Sequence, residues 1–444
     1  MSAARRLDRL GGAGPRAAVV AATVAAACAA ALTVAAGSAT AAAPGVVHEF
    51  GLRGLSGPQQ ITAGGDGNLW FVDRGADGGY GRITTAGVPR SFRRAPGASR
   101  SIPQDITVGP DGNVWLAGTG GIRRITPDGR ATERSRQAAA AITLGPDGAL
   151  WTLDGSAMRR LTAAGTVAEF PAGLAAGDLP RDLAAAPDGN LWYTSVGPVP
   201  AINRMTTAGV VTSFGVGIAG GFPNGVGAGT DGNVWFTDGS LRSPASGRIT
   251  PSGAVTRFAL PVGSTPQDIN PGPDGNMWFT DPGSETIGRV TPDGAITAFT
   301  AGLTFGADPI GITAGPDGSM WFTAPMGSRA AIASIGTGAP AARTSGPRID
   351  GTRRVGSRLV CRGDRWAAWA SLRPRSPSTG GRYGWRRDGD VIAGRRTSAY
   401  TPTARDAGHR ITCTATVTYP LLAVTVSATS RPVVIRPRTT GRER

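Results

Sequence analysis

Groups able to move a proton near neutral pH are scarce in this chain. Its only imidazoles are His48 and His409, and its only thiols are Cys28, Cys361 and Cys413. Acid–base or cation chemistry would therefore fall to carboxylates. Asp73, Asp105, Asp182, Asp238, Asp268 and Asp281 recur at the ends of short apolar runs, interleaved with Gln104, Arg181, Asn224 and Gln267. Gathered at one opening, these ten residues would form a polar ligand-binding funnel. Carboxylates such as Asp238, Asp268 and Asp281 can hold a hard cation through oxygen. Asp268 or Asp281, beside Gln267, can act as a base if its neighbours raise its pKa. A neutral Gln cannot. The alternative reading is that these Asp cap strand ends and loops in solvent.

The elements that must position them are repeats. Trp70, Trp115, Trp151, Trp192, Trp235, Trp278 and Trp321 each follow a Gly-Asn-Leu-like turn, about 43 residues apart. A period of that length marks a propeller or solenoid. In the copy from Thr265 to Thr300, Pro273-Asp274-Gly275 and Pro292-Asp293-Gly294 separate short β-branched and aromatic runs. Pro presets φ, Asp bonds back to the local backbone and Gly accepts positive φ, so these are hairpin turns. Four strands per copy, seven times over, predict an all-β, seven-bladed propeller. Asp111, Asp147, Asp188, Asp274 and Asp317 then belong to turns on the face opposite the funnel.

The seventh copy stops at Gly336-Thr337-Gly338 after three strands. Val46-Val47-His48-Glu49-Phe50 matches the fourth-strand pattern of Thr166–Phe170 and Val210–Phe214. Residues 46–50 are thus expected to supply the missing outer strand and close the ring, which removes an open sheet edge. The repeated Trp, with Phe50, Phe92, Phe170, Phe214, Phe258 and Phe299, read as packing. Thr132-Glu133-Arg134-Ser135 breaks that pattern, so the second blade is expected to be the loosest.

The run P-x-x-I-T-x-G-P-D-G-N-x-W-F-T-D, followed by I-G-R-I-T-P-x-G-x-x-x-x-F, resembles the virginiamycin B (streptogramin) lyase family over residues 46–339. The resemblance implies a seven-bladed propeller that opens a cyclic depsipeptide by β-elimination, using a His in a P-H-x-I motif, an acidic residue ending W-F-T-E, and Mg²⁺. Here the P-H-x-I positions hold Gln59, Gln104, Arg181, Asn224, Gln267 and Ile310. The W-F-T-E positions hold Asp73, Gly118, Asp154, Ser195, Asp238, Asp281 and Ala324. The scaffold matches; the base does not.

Composition divides the rest. All 46 basic residues are Arg, and the net charge of +16 splits into +3 for residues 1–44, −2 for 45–339 and +15 for 340–444. The near-neutral middle argues against a nucleic-acid-binding propeller. Residues 340–347 read as a linker and 348–435 resemble a bacterial immunoglobulin-like domain, in which Cys361 and Cys413 flank Trp385 as an inter-sheet bridge would; a basic tail, 436–444, follows. The +15 end is suited to an anionic cell-surface polymer.

Residues 1–43 read as an export signal: Arg5, Arg6, Arg9 and Arg16 precede an Ala/Val-rich stretch and small residues at Ser38–Ala43. The Arg5-Arg6 pair is compatible with a twin-arginine route, and retention as a membrane anchor is the alternative. The expectation is a secreted or cell-surface monomer that binds a small molecule or peptide at the propeller mouth. Its alternatives are an active Mg-assisted carbon–oxygen lyase and a structural adhesin.

Overall fold

The computed structural model describes residues 43–438, apart from 53–54, 76–78, 94–100, 163–166, 216–220, 326–329, 370–373, 377–381, 420–421 and 423. The segment read as an export signal lies outside them but for its last residue. Seven four-stranded antiparallel sheets run in sequence order, innermost strand first. Blade 6 is representative: Ile269–Pro271, Met277–Asp281, Thr286–Val290 and Ile296–Phe299. Each innermost strand lies against the next, and that of blade 1, Pro58–Ala63, lies against Ile312–Ala314 of blade 7. The ring is closed. Its closing strand is Val47–Gly51, antiparallel to Ala331–Gly336 with Phe50 opposite Ile332.

Each blade is built on one tryptophan. The indole Nε1 donates to the turn aspartate four residues earlier in all seven blades, from Trp70 to Asp66 (3.0 Å) through Trp321 to Asp317 (2.9 Å). The Asp-Gly turn carboxylates thus satisfy a donor whose burial would otherwise cost free energy. Six of the Trp stack on the outer-strand Phe of their own blade, with ring centroids 5.3–5.6 Å apart. Those Phe rings reach the next blade, where they cover a turn glycine: Phe92 lies where a Cβ on Gly129 would be, and Phe170 does the same at Gly209. Glycine is required at those turns for space as well as for positive φ.

Blade 2 is the exception. By register Ser135 stands opposite Ile122 as Phe170 stands opposite Met158, so no ring covers the indole. Trp115 is 7% exposed, against at most 1% for the other six.

Beyond the ring, a three-stranded sheet (Arg348–Asp350, Leu359–Arg362, Ala399–Tyr400) faces a five-stranded one that includes Tyr383–Arg387 and Arg410–Tyr419. Cys361 and Cys413 join the two sheets, with Cα atoms 6.1 Å apart, and share a core with the fully buried Trp385. This is a small immunoglobulin-like sandwich.

The segment 340–347, read as a linker, makes defined contacts on its way to the sandwich. Ala342 is fully buried and its N–H donates to the Pro316 carbonyl (2.9 Å). Trp369 stacks on Tyr419 at 4.3 Å and donates to the Pro340 carbonyl (2.7 Å). Both rings belong to one apolar cluster with Trp321 of blade 7. The carbonyls of Ala339 and Pro340 approach Gly318 so closely that a Cβ there would lie 2.5–2.7 Å from them. The absence of a side chain at Gly318 permits this approach.

Candidate functional site

The mouth of the ring is shaped by irregular starts to the innermost strands. The ladder slips between Pro58 and Ile61, Pro103 and Asp105, Pro180 and Leu183, and Pro223 and Val226. Such bulges re-aim the side chains they contain. They carry Gln59, Gln60, Gln104, Arg181, Asp182 and Asn224, while Gln267 and Asp268 sit just ahead of the blade 6 strand. All of these, with Asp105, Arg74 and Ile310, line one cavity of about 230 Å³.

A second device fixes the rim. The Thr two residues after the blade Trp donates to the carbonyl of the residue following the P-x-x-I proline in the next blade: Thr194 to Asn224, Thr237 to Gln267 and Thr280 to Ile310. Thr323 of blade 7 donates to Gln59 of blade 1, so the chain of bonds also crosses the closure.

Three carboxyls lie in the cavity wall, on alternate blades. Asp105 accepts the N–H groups of Ile106 and Ile142, both at 2.7 Å, through its two oxygens. Asp182 accepts those of Leu183 and Val226, both at 2.8 Å. Asp268 accepts those of Ile269 (2.7 Å) and Ile312 (2.8 Å). Each therefore latches its blade to the following one. Where the neighbour comes closest the residue is small: a Cβ on Gly225 would lie 2.5 Å from the Gln267 carbonyl, and one on Gly311 2.4 Å from that of Gln59.

Burial pushes Asp105 up to about 7, with the Asp182 charge adding to it and the Ile142 and Ile106 N–H groups and Arg74 opposing. Burial likewise raises Asp182, and raises Asp268 well above the carboxylate range with help from Asp182 and Asp105.

Of the ten funnel residues expected from sequence, seven meet here: Gln104, Asp105, Arg181, Asp182, Asn224, Gln267 and Asp268. Asp73, Asp238 and Asp281 do not line the cavity. Asp73 accepts the N–H groups of Gly57 (2.7 Å) and Gly75 (3.1 Å). Asp238 accepts those of Phe222 (2.6 Å) and Ser240 (3.0 Å) and pairs with Arg257. Asp281 accepts those of Thr265 (2.8 Å) and Ser284 (3.3 Å). These carboxylates hold the loops leading into their own blades.

The residues present do not fit Mg²⁺. Among the described residues no group of three or more His, Cys, Asp or Glu converges, and Asp238 and Asp281 do not line the cavity with Asp268. Every carboxylate oxygen in the mouth already accepts a backbone N–H.

Arg74 was not legible as a site residue. It follows Asp73 where the corresponding loops have Gly239 and Pro282, so no repeat pattern marks it. Its guanidinium donates to Gln104 Oε1 (2.6 Å) and the Pro103 carbonyl (3.2 Å). Arg181 donates to Asn224 Oδ1 (3.2 Å) and lies 5.4 Å from the centre of the Phe222 ring. The two histidines are elsewhere and exposed: His48 on the outer edge of blade 7, His409 beside Asp388 in the C-terminal sandwich.

Comparison with known proteins agrees with this architecture. Virginiamycin B lyase from Staphylococcus aureus superposes with a TM-score of 0.58 at 27% identity, over 65% of this chain and 98% of that one. A streptogramin B lyase structure gives 0.57 at 28%, over 65% and 96%. A catalytically inactive histidine-to-alanine variant of the S. aureus enzyme, solved with quinupristin, gives 0.56 at 27%, over 65% and 98%. No curated protein matches the chain. Residues 13–198 and 132–339 match the virginiamycin B lyase family, and the chain belongs to that family.

Proposed function

We propose that this protein is a receptor built on the lyase scaffold: it holds a small molecule or peptide at the propeller mouth without the elimination step. The observation that carries this reading is the identity of the six P-x-x-I residues. Gln59, Gln104, Arg181, Asn224, Gln267 and Ile310 supply no imidazole. Removing a proton α to an ester carbonyl needs a base within hydrogen-bond reach. The carboxyls that could replace it, Asp105, Asp182 and Asp268, have raised pKa values, but each is tied by one oxygen to its own strand and by the other to the next blade, which holds it in the cavity wall. The S. aureus enzyme named above is inactive once one histidine becomes alanine, and this chain has none at the mouth.

The test is incubation of the purified protein with a streptogramin B and Mg²⁺, with a family enzyme as the positive control. Elimination opens the ring without changing its mass, so the readout is chromatographic retention and the absorbance of the new double bond. Unchanged substrate is expected. Ring opening at an enzymatic rate overturns the reading and restores the lyase alternative.

We extend the reading to an exported protein whose basic end meets an anionic cell-surface polymer. Exposed Arg353, Arg358, Arg362, Arg405 and Arg431 in the sandwich support this. Release from intact cells by rising salt is the expected behaviour; salt-resistant attachment counts against it.

A further inference from the structure

We infer that the mouth is an anion receptor, which takes an organic carboxylate between Arg74 and Arg181 and lays the apolar body of that ligand on Phe222 and Leu179. The inference rests on the receptor reading and names its ligand class. It comes from counting which hydrogen-bonding groups of the cavity are already used. The charged acceptors are all engaged with backbone N–H groups, and the other side-chain acceptors in the lining are neutral amides, those of Gln59, Gln60, Gln104, Asn224 and Gln267. Both oxygens of Asp105, Asp182 and Asp268 take backbone N–H groups, Gln104 Oε1 takes Arg74, and Asn224 Oδ1 takes Arg181.

What remains toward the lumen is donor capacity. A guanidinium has five N–H groups in a planar fork, and the bonds made by Arg74 and Arg181 leave part of each fork unused. The Gln104 amide nitrogen is likewise left over. Neither guanidinium forms an ion pair with a described carboxylate. A carboxylate is acceptor-only and matches such a fork in a bidentate fashion.

The electrostatics point the same way. Arg74 is drawn below the ordinary guanidinium value by burial and by the like charge of Arg181, with Asp105 opposing. A positive pair partly withdrawn from water is a site whose desolvation an incoming anion offsets. The raised pKa values of the three carboxyls lessen the negative charge that would compete for the pair. A cation would instead meet two guanidiniums and carboxyls whose ionised form burial disfavours.

The apolar half has its own markers. Phe222 is 42% exposed and Leu179 61%, in the segments that flank Arg181 on the mouth face. The Arg181 guanidinium already lies over the Phe222 ring. A charged head at Arg181 thus places whatever it carries beside an exposed aromatic surface, the pairing expected of an amphipathic acid.

The experiment is isothermal titration of the full chain, at fixed ionic strength and pH 7, with three isosteric probes: phenylacetate, phenylacetamide and phenethylammonium. Phenylacetate is expected to bind at least tenfold more tightly than the amide, with no measurable binding of the amine. Arg181→Gln and Arg74→Gln are each expected to weaken phenylacetate at least tenfold. Arg130→Gln, the same charge change in an exposed turn of blade 2, is expected to leave it unchanged. Equal affinity for acid and amide, preference for the amine, no binding of phenylacetate, or equal weakening by all three variants each overturns the inference. Acid–amide equality would do so while leaving the receptor reading standing; that reading falls on streptogramin turnover instead. Circular dichroism of each variant shows that the fold is retained.

Discussion

Replacing Asp105 with Asn should change how the stability of the protein depends on pH. Asp105 ionises near 3.8 in the unfolded chain and at about 7 in the folded one, raised by burial and by Asp182 while Arg74 opposes. Asp268 faces the same space. Below pH 4 the group is protonated in both states and contributes no pH dependence. Between about 4 and 7 the folded protein keeps a proton that the unfolded chain has lost, so stability falls as pH rises. Above 7 both states are ionised and the slope vanishes. At 1.36 kcal/mol per unit the full span is about 4 kcal/mol, of which about 3 lies between pH 5 and pH 8. These are upper bounds, because Asp105 lines a channel open to water and solvent screens part of the cost. Asn at 105 is neutral throughout, but its NH₂ cannot accept the second N–H bond, a loss of about 1–3 kcal/mol. Asp105→Asn should therefore be clearly less stable than the parent at pH 5, with the gap closing or reversing at pH 8. The assay is urea denaturation at both pH values, read as a double difference between the two proteins. A pH slope unchanged by the substitution would refute the reasoning, because it would mean that Asp105 titrates as a solvated carboxylate.

Other substitutions probe the scaffold. Ser135→Phe should give blade 2 the ring that six blades possess, covering Trp115 and raising stability by about 1 kcal/mol, the order of an added aromatic pair; a lower urea midpoint would show that the site cannot admit it. Trp369→Ala should loosen the sandwich from blade 7 at about 3–5 kcal/mol, seen as earlier proteolysis within 340–369 while the propeller stays intact. Unchanged proteolysis would mean that the docking does not depend on this ring. Reducing the Cys361–Cys413 bridge, which closes a span of 52 residues, should destabilise the sandwich by about 4 kcal/mol in the chain-entropy account. Comparing thermal melts with and without reductant, a fall confined to the C-terminal transition is the expected result.

The sequence by itself determined the seven sheets, the closing strand and the bridged sandwich. Each is set by residues that act locally or repeat: a turn every half blade, a tryptophan every 43 residues or so, and a Phe four strands from the channel. It also determined that no imidazole stands at the P-x-x-I positions. Which acids face the channel was decided by tertiary structure. A two-residue period gives the face of the sheet on which a side chain lies, but a bulge rotates the side chains within it, and four of the seven innermost strands begin that way. The N–H groups that hold Asp105, Asp182 and Asp268 come from 37, 44 and 44 residues further on. Asp73, Asp238 and Asp281, expected at the same opening, find their partners in the loops of their own blades. Arg74 entered the mouth, and the Ala339 and Pro340 carbonyls closed against Gly318, for the same reason. Where a polar group is satisfied, or a small residue is approached, depends on a neighbour brought near only when the ring has formed.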